Sequence, residues 1–229
     1  MRHLYQDILH ALGLGLCHQL PERSFIFGGI QSPVCARCAG IYVGIILTLL
    51  FLFLFYRKAQ RAGVPALPFF IGAAIGVIVM GVDGVGSYLG LHRTNNFVRV
   101  LTGIMFGAGL APIIYSLLVE TLARYRSPKK IMDTTHSVAL WAAVIPAGLL
   151  LVYGSGLLLG PLAAGFQGLL IFVTFWLIAL IIIGCIPRFE HSVKEWRDLI
   201  APLLLAFPVA VSILLLCMVL QLWAMGVLL

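Results

Sequence analysis

The sequence predicts an all-α fold: a polytopic transmembrane helix bundle with about six spans and a short N-terminal segment that contains cysteine and histidine. Of the 229 residues, 62% are hydrophobic and only 10% are charged, and the mean hydropathy is +1.09. A soluble domain carries about 25% charged residues. The apolar residues also gather in runs of roughly 17 to 29, and about 20 helical residues cross the hydrocarbon core of a bilayer. Lipid is therefore the expected solvent.

Charged residues and turn residues between the apolar runs set the limits of each span. The predicted spans are residues 40–56, 66–82, 97–119, 137–159, 163–186 and 199–227. The fourth and fifth form a hairpin, because Gly160-Pro161 breaks the apolar run between them. We expect two units, an N-terminal Cys/His segment over residues 1–39 and a transmembrane domain over residues 40–229.

The distribution of Lys and Arg predicts the orientation of the chain. Of the fifteen Lys and Arg, ten follow spans one, three and five, and five lie on the opposite side. Positive loops are retained in the cytoplasm. We therefore expect a multi-pass protein of the cell membrane with both termini outside and the N-terminal segment on the outer face. The net charge of +7 is scattered over short loops, which predicts membrane lipids and no nucleic acid as partners.

Small residues recur at four-residue spacing in each of the first three spans. The pairs are Gly40/Gly44, Gly72/Gly76 and Gly103/Gly107. This spacing lets helix backbones approach closely in lipid. We expect the first three spans to form a tightly packed trio, with the last three acting mainly as an apolar scaffold.

Cys17-His18, Cys35 and Cys38 form the most distinctive constellation in the chain. The C-x-x-C turn places two thiolates where one tetrahedral zinc ion can bind both at about 2.3 Å. Cys17 supplies a third soft ligand within twenty-two residues of chain. These residues predict a site for zinc or a similar soft divalent metal.

The fourth ligand of this site is predicted to be His18 or His92. His10 also precedes Cys17, but seven residues of helix separate the two by roughly 10 Å. Such neighbours cannot share one ion on a continuous helix. His18 adjoins Cys17 in sequence, and His92 lies in the second loop on the same predicted side of the membrane.

Other chemistry is compatible with the same thiols. An outward location is oxidising, which also favours a structural disulfide or a dithiol that cycles between Cys35 and Cys38. Cys185 and Cys217 lie within predicted apolar spans, and we expect them to be packing residues.

A second polar cluster surrounds the start of the third span. It comprises Asp83, Arg93, Asn95, Asn96 and Arg99. If the third helix begins near Thr94 or Asn95, its first turns present one polar stripe. Helix N-termini and arginines both bind phosphate and carboxylate groups. These residues predict an anion site for a lipid headgroup at the outer leaflet.

The alternative for this cluster is purely structural. Asp83 would then pair with Arg99 or Arg93 to orient the helices, and the asparagines would cap. Under the first interpretation, we expect the polar cluster and the cysteine cluster to form one site.

The run CHQLPERSFIFGGIQSPVCARCAGIYVG, residues 17–44, resembles the signature of a family of uncharacterised prokaryotic multi-pass membrane proteins, known as a domain of unknown function. Residues 83–107 resemble the same family, so the resemblance covers roughly the first half of the chain. It implies a membrane location and no particular activity.

Three functions are compatible with these residues. The first is an enzyme or lipid-handling protein that acts on an anionic lipid beside a metal centre. The second is a thiol/disulfide oxidoreductase that uses Cys35 and Cys38. The third is a transporter in which the metal or disulfide is structural.

Overall fold

The computed structural model describes residues 2–56, 61–91, 93–125 and 127–226. The helices are α1 (Arg2–Leu14), α2 (Ala36–Tyr56), α3 (Leu67–Tyr88), α4 (Asn96–Leu122), α5 (Thr135–Ala142), α6 (Val144–Leu159), α7 (Leu162–Gly184) and α8 (Ile200–Ala224). The strands are β1 (Ser24–Phe27), β2 (Ile30–Cys35), β3 (Arg61–Gly63) and β4 (Ser127–Lys130). Short 3-10 turns lie at Pro21–Arg23 and Trp196–Leu199.

Six helical segments among the described residues are long and apolar enough to cross a membrane. They confirm the predicted bundle of about six spans. The first span begins at Ala36 rather than at residue 40, so Arg37 and Cys38 belong to its first turn. The fourth span consists of α5 and α6 together. Its break at Ala143 follows from Pro146, whose ring clashes with the carbonyl four residues earlier and whose nitrogen cannot donate.

Helices α2 and α4 pack with their backbones in contact through the predicted glycine pairs. The contacts are Gly40 on the Val100 carbonyl, Gly44 on the Ile104 carbonyl, Gly103 on the Arg37 carbonyl and Gly107 on the Ile41 carbonyl. A β-carbon at any of these four positions would overlap the facing oxygen. Helix α3 packs on the other side of α4, where Gly76 lies against Met105.

A proline in α4 makes a separate connection to the fourth span. Pro112 has no amide hydrogen, so the carbonyl four residues earlier, that of Ala108, has no helical donor. The indole nitrogen of Trp141 donates a hydrogen bond to this carbonyl at 2.9 Å. The α5 segment is thereby fixed against the middle of α4.

Helices α7 and α8 pack through larger side chains. The small residues Ala179, Ala206 and Ala210 are fully buried at this contact. The rings of Phe172 and Trp176 of α7 contact the ring of Phe207 of α8. The indole nitrogen of Trp176 also donates to the Leu203 carbonyl at 2.9 Å. The mostly exposed surface of α8 is consistent with a position facing lipid.

The N-terminal segment covers one end of the bundle. Helix α1 lies against α7, where Leu9 packs with Ala163 and Ala164 and the Tyr5 hydroxyl donates to the Pro161 carbonyl at 3.2 Å. At the opposite end, β3 and β4 form a short parallel pair. The amide of Met132 donates there to the Tyr56 hydroxyl at 2.8 Å. The polar clusters predicted from the sequence therefore lie at the end covered by α1.

Candidate metal centre

The sulfur atoms of Cys17, Cys35 and Cys38 converge. All three lie within 4.8 Å of one another, and those of Cys35 and Cys38 are 3.6 Å apart. Two sulfurs that each lie about 2.3 Å from one tetrahedral ion are roughly 3.8 Å apart. The observed separation fits a shared ion and exceeds by far the roughly 2.05 Å of a disulfide bond. The three thiols can therefore hold a metal ion.

A β-hairpin places Cys35 close to Cys17. Strands β1 and β2 pair antiparallel, and Gly28 and Gly29 form the turn in the left-handed region. Ser24 lies opposite Cys35 in this ladder. The sequence analysis did not predict the hairpin, although two glycines between apolar residues are a hairpin signal.

Gln19 holds the loop after α1 against this hairpin. Its side-chain amide donates to the His10 carbonyl at 2.9 Å and to the Pro33 carbonyl at 2.7 Å. Gly13 lies directly against Pro33, where a side chain would collide. Helix α1 ends at Leu14, so Cys17 lies beyond it and turns toward β2. The backbone amide of Cys35 then donates to the Cys17 sulfur at 3.3 Å.

The position of Cys35 at the start of α2 stabilises its thiolate. Hydrogen bonds from the Cys17 and Cys38 thiols, followed by those from the backbone amides of Cys38 and Arg37, lower the pKa of the Cys35 thiol, while burial opposes them. The hydrogen bond to Cys35 raises the pKa of the Cys17 thiol. Amide donors at a helix N-terminus favour an anionic sulfur. The cluster thus provides a thiolate, the form of cysteine that binds metal.

Of the two histidines predicted as fourth ligand, only His18 lies among the described residues. His18 is exposed and does not belong to the group of converging ligand atoms. His92 lies outside the described residues. Cys185 is exposed near the opposite end, whereas Cys217 of α8 is half-buried against Gly15.

The second polar cluster is joined to the cysteines by Arg37, a residue that the sequence analysis did not place in either site. Its guanidinium forms an ion pair with Asp83 of α3, with the Nε atom 3.0 Å from Oδ2. The Thr102 hydroxyl of α4 donates to the same oxygen at 3.4 Å. Because Arg37 lies between Cys35 and Cys38 in sequence, the C-x-x-C turn directs it toward α3. The position of Arg37 inside the C-x-x-C motif is the sequence feature from which its place beside both clusters could have been predicted.

The polar residues at the start of α4 have two different roles: one caps the helix, and the others place a buried positive charge in its first turn. Asn95 is the N-cap, and its side-chain oxygen accepts from the Val98 amide at 2.9 Å. Arg99 is buried, with 8% of its surface exposed, and donates to the Asn96 side chain at 3.1 Å. Arg93 is exposed. The predicted cap is therefore confirmed, and among the described residues Asp83 forms an ion pair with Arg37, whereas the structural alternative expected Arg99 or Arg93.

Positive charge accumulates beside the thiols. Arg23 is half-buried at the end of the 3-10 turn, next to Ser24, which lies opposite Cys35. Arg37 lies in the first turn of α2, and its carbonyl meets Gly103 of α4, about one turn beyond Arg99. Next to Arg37 is an open cavity of about 440 Å³, whose other lining residues are all apolar or glycine. The lining comprises Arg37, Met80, Gly81, Gly84, Val85 and Leu89. The arrangement combines a soft-metal site, a cationic cluster and an apolar groove.

Six spans and a thiol cluster at one end define a polytopic membrane protein with a potential metal centre. The family described as "Predicted membrane protein (DUF2085)" matches residues 17–113, a segment that contains all three cysteines, Arg37, Asp83 and Arg99. An uncharacterised protein of Methanothermobacter thermautotrophicus is 40% identical over 96 residues, which are 42% of this chain and 81% of the relative. The chain belongs to this family of predicted membrane proteins.

A second relative gives a similar picture. An uncharacterised protein of Methanocaldococcus jannaschii is 37% identical over 109 residues, which are 48% of this chain and 66% of that protein. No solved structure matches the chain. The family match over residues 17–113 lies in the first half of the chain, as the resemblance of residues 17–44 and 83–107 predicts.

Proposed function

We propose that the chain is a metal-binding membrane protein in which Cys17, Cys35 and Cys38 hold one zinc ion or a similar soft divalent ion. The convergence of three sulfur atoms within 4.8 Å carries this proposal. Thiolates are ligands of soft and borderline metals, and the separations suit tetrahedral coordination. The fourth position would be taken by His92 or by a ligand from outside the chain.

We propose that the metal acts together with an adjacent site that binds an anionic lipid headgroup. That site would comprise the predicted residues Asp83, Arg93, Asn95, Asn96 and Arg99. Two features support it: a buried arginine at a helix N-terminus and an apolar groove next to the polar cluster. If the ligand from outside the chain is the lipid, a metal held by the three cysteines would polarise its phosphoryl or carbonyl oxygen. The activity would be to act on or handle such a lipid.

Metal analysis of the purified full chain tests the metal site. We expect about one zinc per chain, with loss of most of it in Cys35→Ser and Cys38→Ser. Cys185→Ser is the matched control, because this exposed thiol lies near the other end and its replacement should leave the metal content unchanged. Equal metal content in all three variants would contradict the proposal.

A second candidate is a membrane thiol/disulfide oxidoreductase. It is favoured by the 3.6 Å separation of the Cys35 and Cys38 sulfurs and by the lowered pKa of Cys35, since a thiolate is the nucleophile in disulfide exchange. Metal-free chain with a reducible Cys35–Cys38 bond would support it. Stoichiometric metal that survives purification would exclude thiol cycling at this pair, but would also be compatible with a transporter that has a structural metal.

We also propose that the protein lies in the cell membrane with both termini outside the cytoplasm, so that the cysteine cluster is at the outer leaflet. The ten-to-five distribution of Lys and Arg supports this orientation. A reporter fused after residue 229 tests it. External activity is expected, and cytoplasmic activity of the fusion would reverse the orientation.

A further inference from the structure

Three arginines lie on the segments next to the cysteine cluster: Arg23 beside Ser24, which lies opposite Cys35, Arg37 in the C-x-x-C turn, and Arg99 at the start of α4. Asp83 pairs with Arg37, while Arg23 and Arg99 form no ion pair with any described residue. Arg99 is nevertheless buried, and a buried charge is costly unless it is paired. An ion with two positive charges bound to three thiolates adds one negative charge. The group therefore retains net positive charge even when the metal is bound.

One of these arginines, Arg23, belongs to the segment that would enclose the metal, whereas Arg37 lies in the first turn of α2. Arg23 lies between Cys17 and Cys35, and Arg37 lies between Cys35 and Cys38. Arg99 comes from α4, which packs on α2 through the glycine contacts. Arg37 is therefore already held relative to Arg99, and a metal that ties the three cysteines together would also fix Arg23 relative to both.

Arginine is suited to bind a phosphate group, because its planar fork donates two parallel hydrogen bonds. The open cavity next to Arg37 has otherwise apolar walls. A phosphate monoester with a hydrocarbon portion would match both parts. Free phosphate would match the arginines alone.

We propose that Arg23, Arg37 and Arg99 form a phosphate-binding site that is assembled by metal binding to Cys17, Cys35 and Cys38. The coupling rests on the proposed metal site. It adds two residues, Arg23 and Arg37, to the predicted anion cluster, and it gives the metal a regulatory role. Because linkage is reciprocal, bound phosphate also raises the affinity for metal.

The test uses the full chain in nanodiscs of zwitterionic lipid, with zinc bound or removed by a chelator and with zinc content measured in each sample. The probes are inorganic phosphate and dioctanoyl phosphatidic acid, which shares the phosphate monoester group. The zinc-bound protein should bind at least one probe roughly tenfold more tightly than the metal-free protein, within the ~5–150-fold range typical of linked sites. Tighter binding of the lipid would identify a headgroup as ligand, and equal binding would identify free phosphate.

Arginine variants separate this site from a general charge effect. Arg23→Ala and Arg99→Lys should each weaken binding about tenfold at unchanged zinc content, since lysine keeps the charge but lacks the fork. Arg188→Ala, an exposed arginine near the opposite end, is the control and should bind like the parent. Arg23 is half-buried in a loop, so its variant remains informative if Arg99→Lys does not fold.

The outcomes distinguish the two proposals. Full zinc content with equal phosphate binding in the presence and absence of zinc would overturn the coupling and leave the metal site intact. Parent-like binding by both arginine variants would overturn the arginine site. Absence of zinc would reject the proposed metal site and the coupling together, while phosphate binding by the metal-free chain would still report on the arginines.

Discussion

Two helix pairs of this protein achieve close packing by opposite means. In the α2–α4 pair, four glycines bring one backbone against the carbonyls of the other, and both helices carry a charged residue in their first turns. In the α7–α8 pair, neither helix contains a charged residue, and aromatic rings of the two helices are in contact. In the most apolar 18-residue stretch of each span, 56% of the stretch is buried for α4 but only 11% for the span that contains α8. The first pair therefore depends on the close backbone contact that glycine allows, and the second depends on side-chain volume.

The ion pair between Arg37 of α2 and Asp83 of α3, next to the α2–α4 contact, should give the largest effect. Arg37→Met would leave Asp83 buried, with 6% of its side chain exposed, and should lower the free energy of unfolding by about 3 kcal/mol. The double variant Arg37→Met/Asp83→Leu should recover most of this loss, because it removes both charges. The measurement is unfolding in mixed micelles. A single variant within 0.5 kcal/mol of the parent, a threshold of roughly the size of ordinary surface substitutions, would show that the charge match is unimportant.

One added methyl group should produce the next largest effect. Gly107→Ala places a β-carbon on the Ile41 carbonyl and forces α2 and α4 apart, so a loss of about 2 kcal/mol is expected in the same unfolding assay. Gly154→Ala in α6 is the matched control, because its β-carbon would meet open space. That substitution should be neutral or stabilising by about 0.5 kcal/mol, since alanine is the better helix former. Equal stabilities of the two variants would mean that close backbone contact does not stabilise the pair.

The α7–α8 pair should respond least. Trp176→Phe retains an aromatic ring but removes the hydrogen bond to the Leu203 carbonyl, so about 1 kcal/mol should be lost. The effect should appear as a lower midpoint of unfolding with metal content unchanged. A loss as large as that of Gly107→Ala would remove the distinction between the two pairs.

Features that depend on the composition or spacing within one segment could be predicted from the sequence. Features that depend on the rotation of a helix about its axis, or on contacts between segments distant in sequence, could not. Six apolar runs predict six spans because hydropathy adds up along a helix, and the glycine pairs predict the α2–α4 contact because their spacing is a property of one helix. The proximity of Cys35 and Cys38 follows from a three-residue turn. By contrast, the position of Cys17 depends on Gln19 holding a loop to a hairpin.

The partner of Asp83 in the ion pair could not be predicted from the sequence for a similar reason. By sequence, Arg93 and Arg99 are both plausible partners of Asp83, since all three residues lie near the end of a span. Arg37 pairs with Asp83 because the C-x-x-C turn sets the rotation of the first turn of α2, and that rotation cannot be read from hydropathy. His18 was a plausible ligand by adjacency to Cys17, but neighbouring side chains in a loop point in different directions.

The proline in α4 has a consequence for the order in which the protein is assembled. Because Pro112 cannot donate, the Ala108 carbonyl enters the membrane without its helical donor, a costly state in hydrocarbon. The donor, the Trp141 indole, is synthesised thirty-three residues later. The third span thus inserts with one acceptor open and completes its hydrogen bonding when the fourth arrives. During synthesis, that open carbonyl favours docking of the incoming span at one depth and in one rotation.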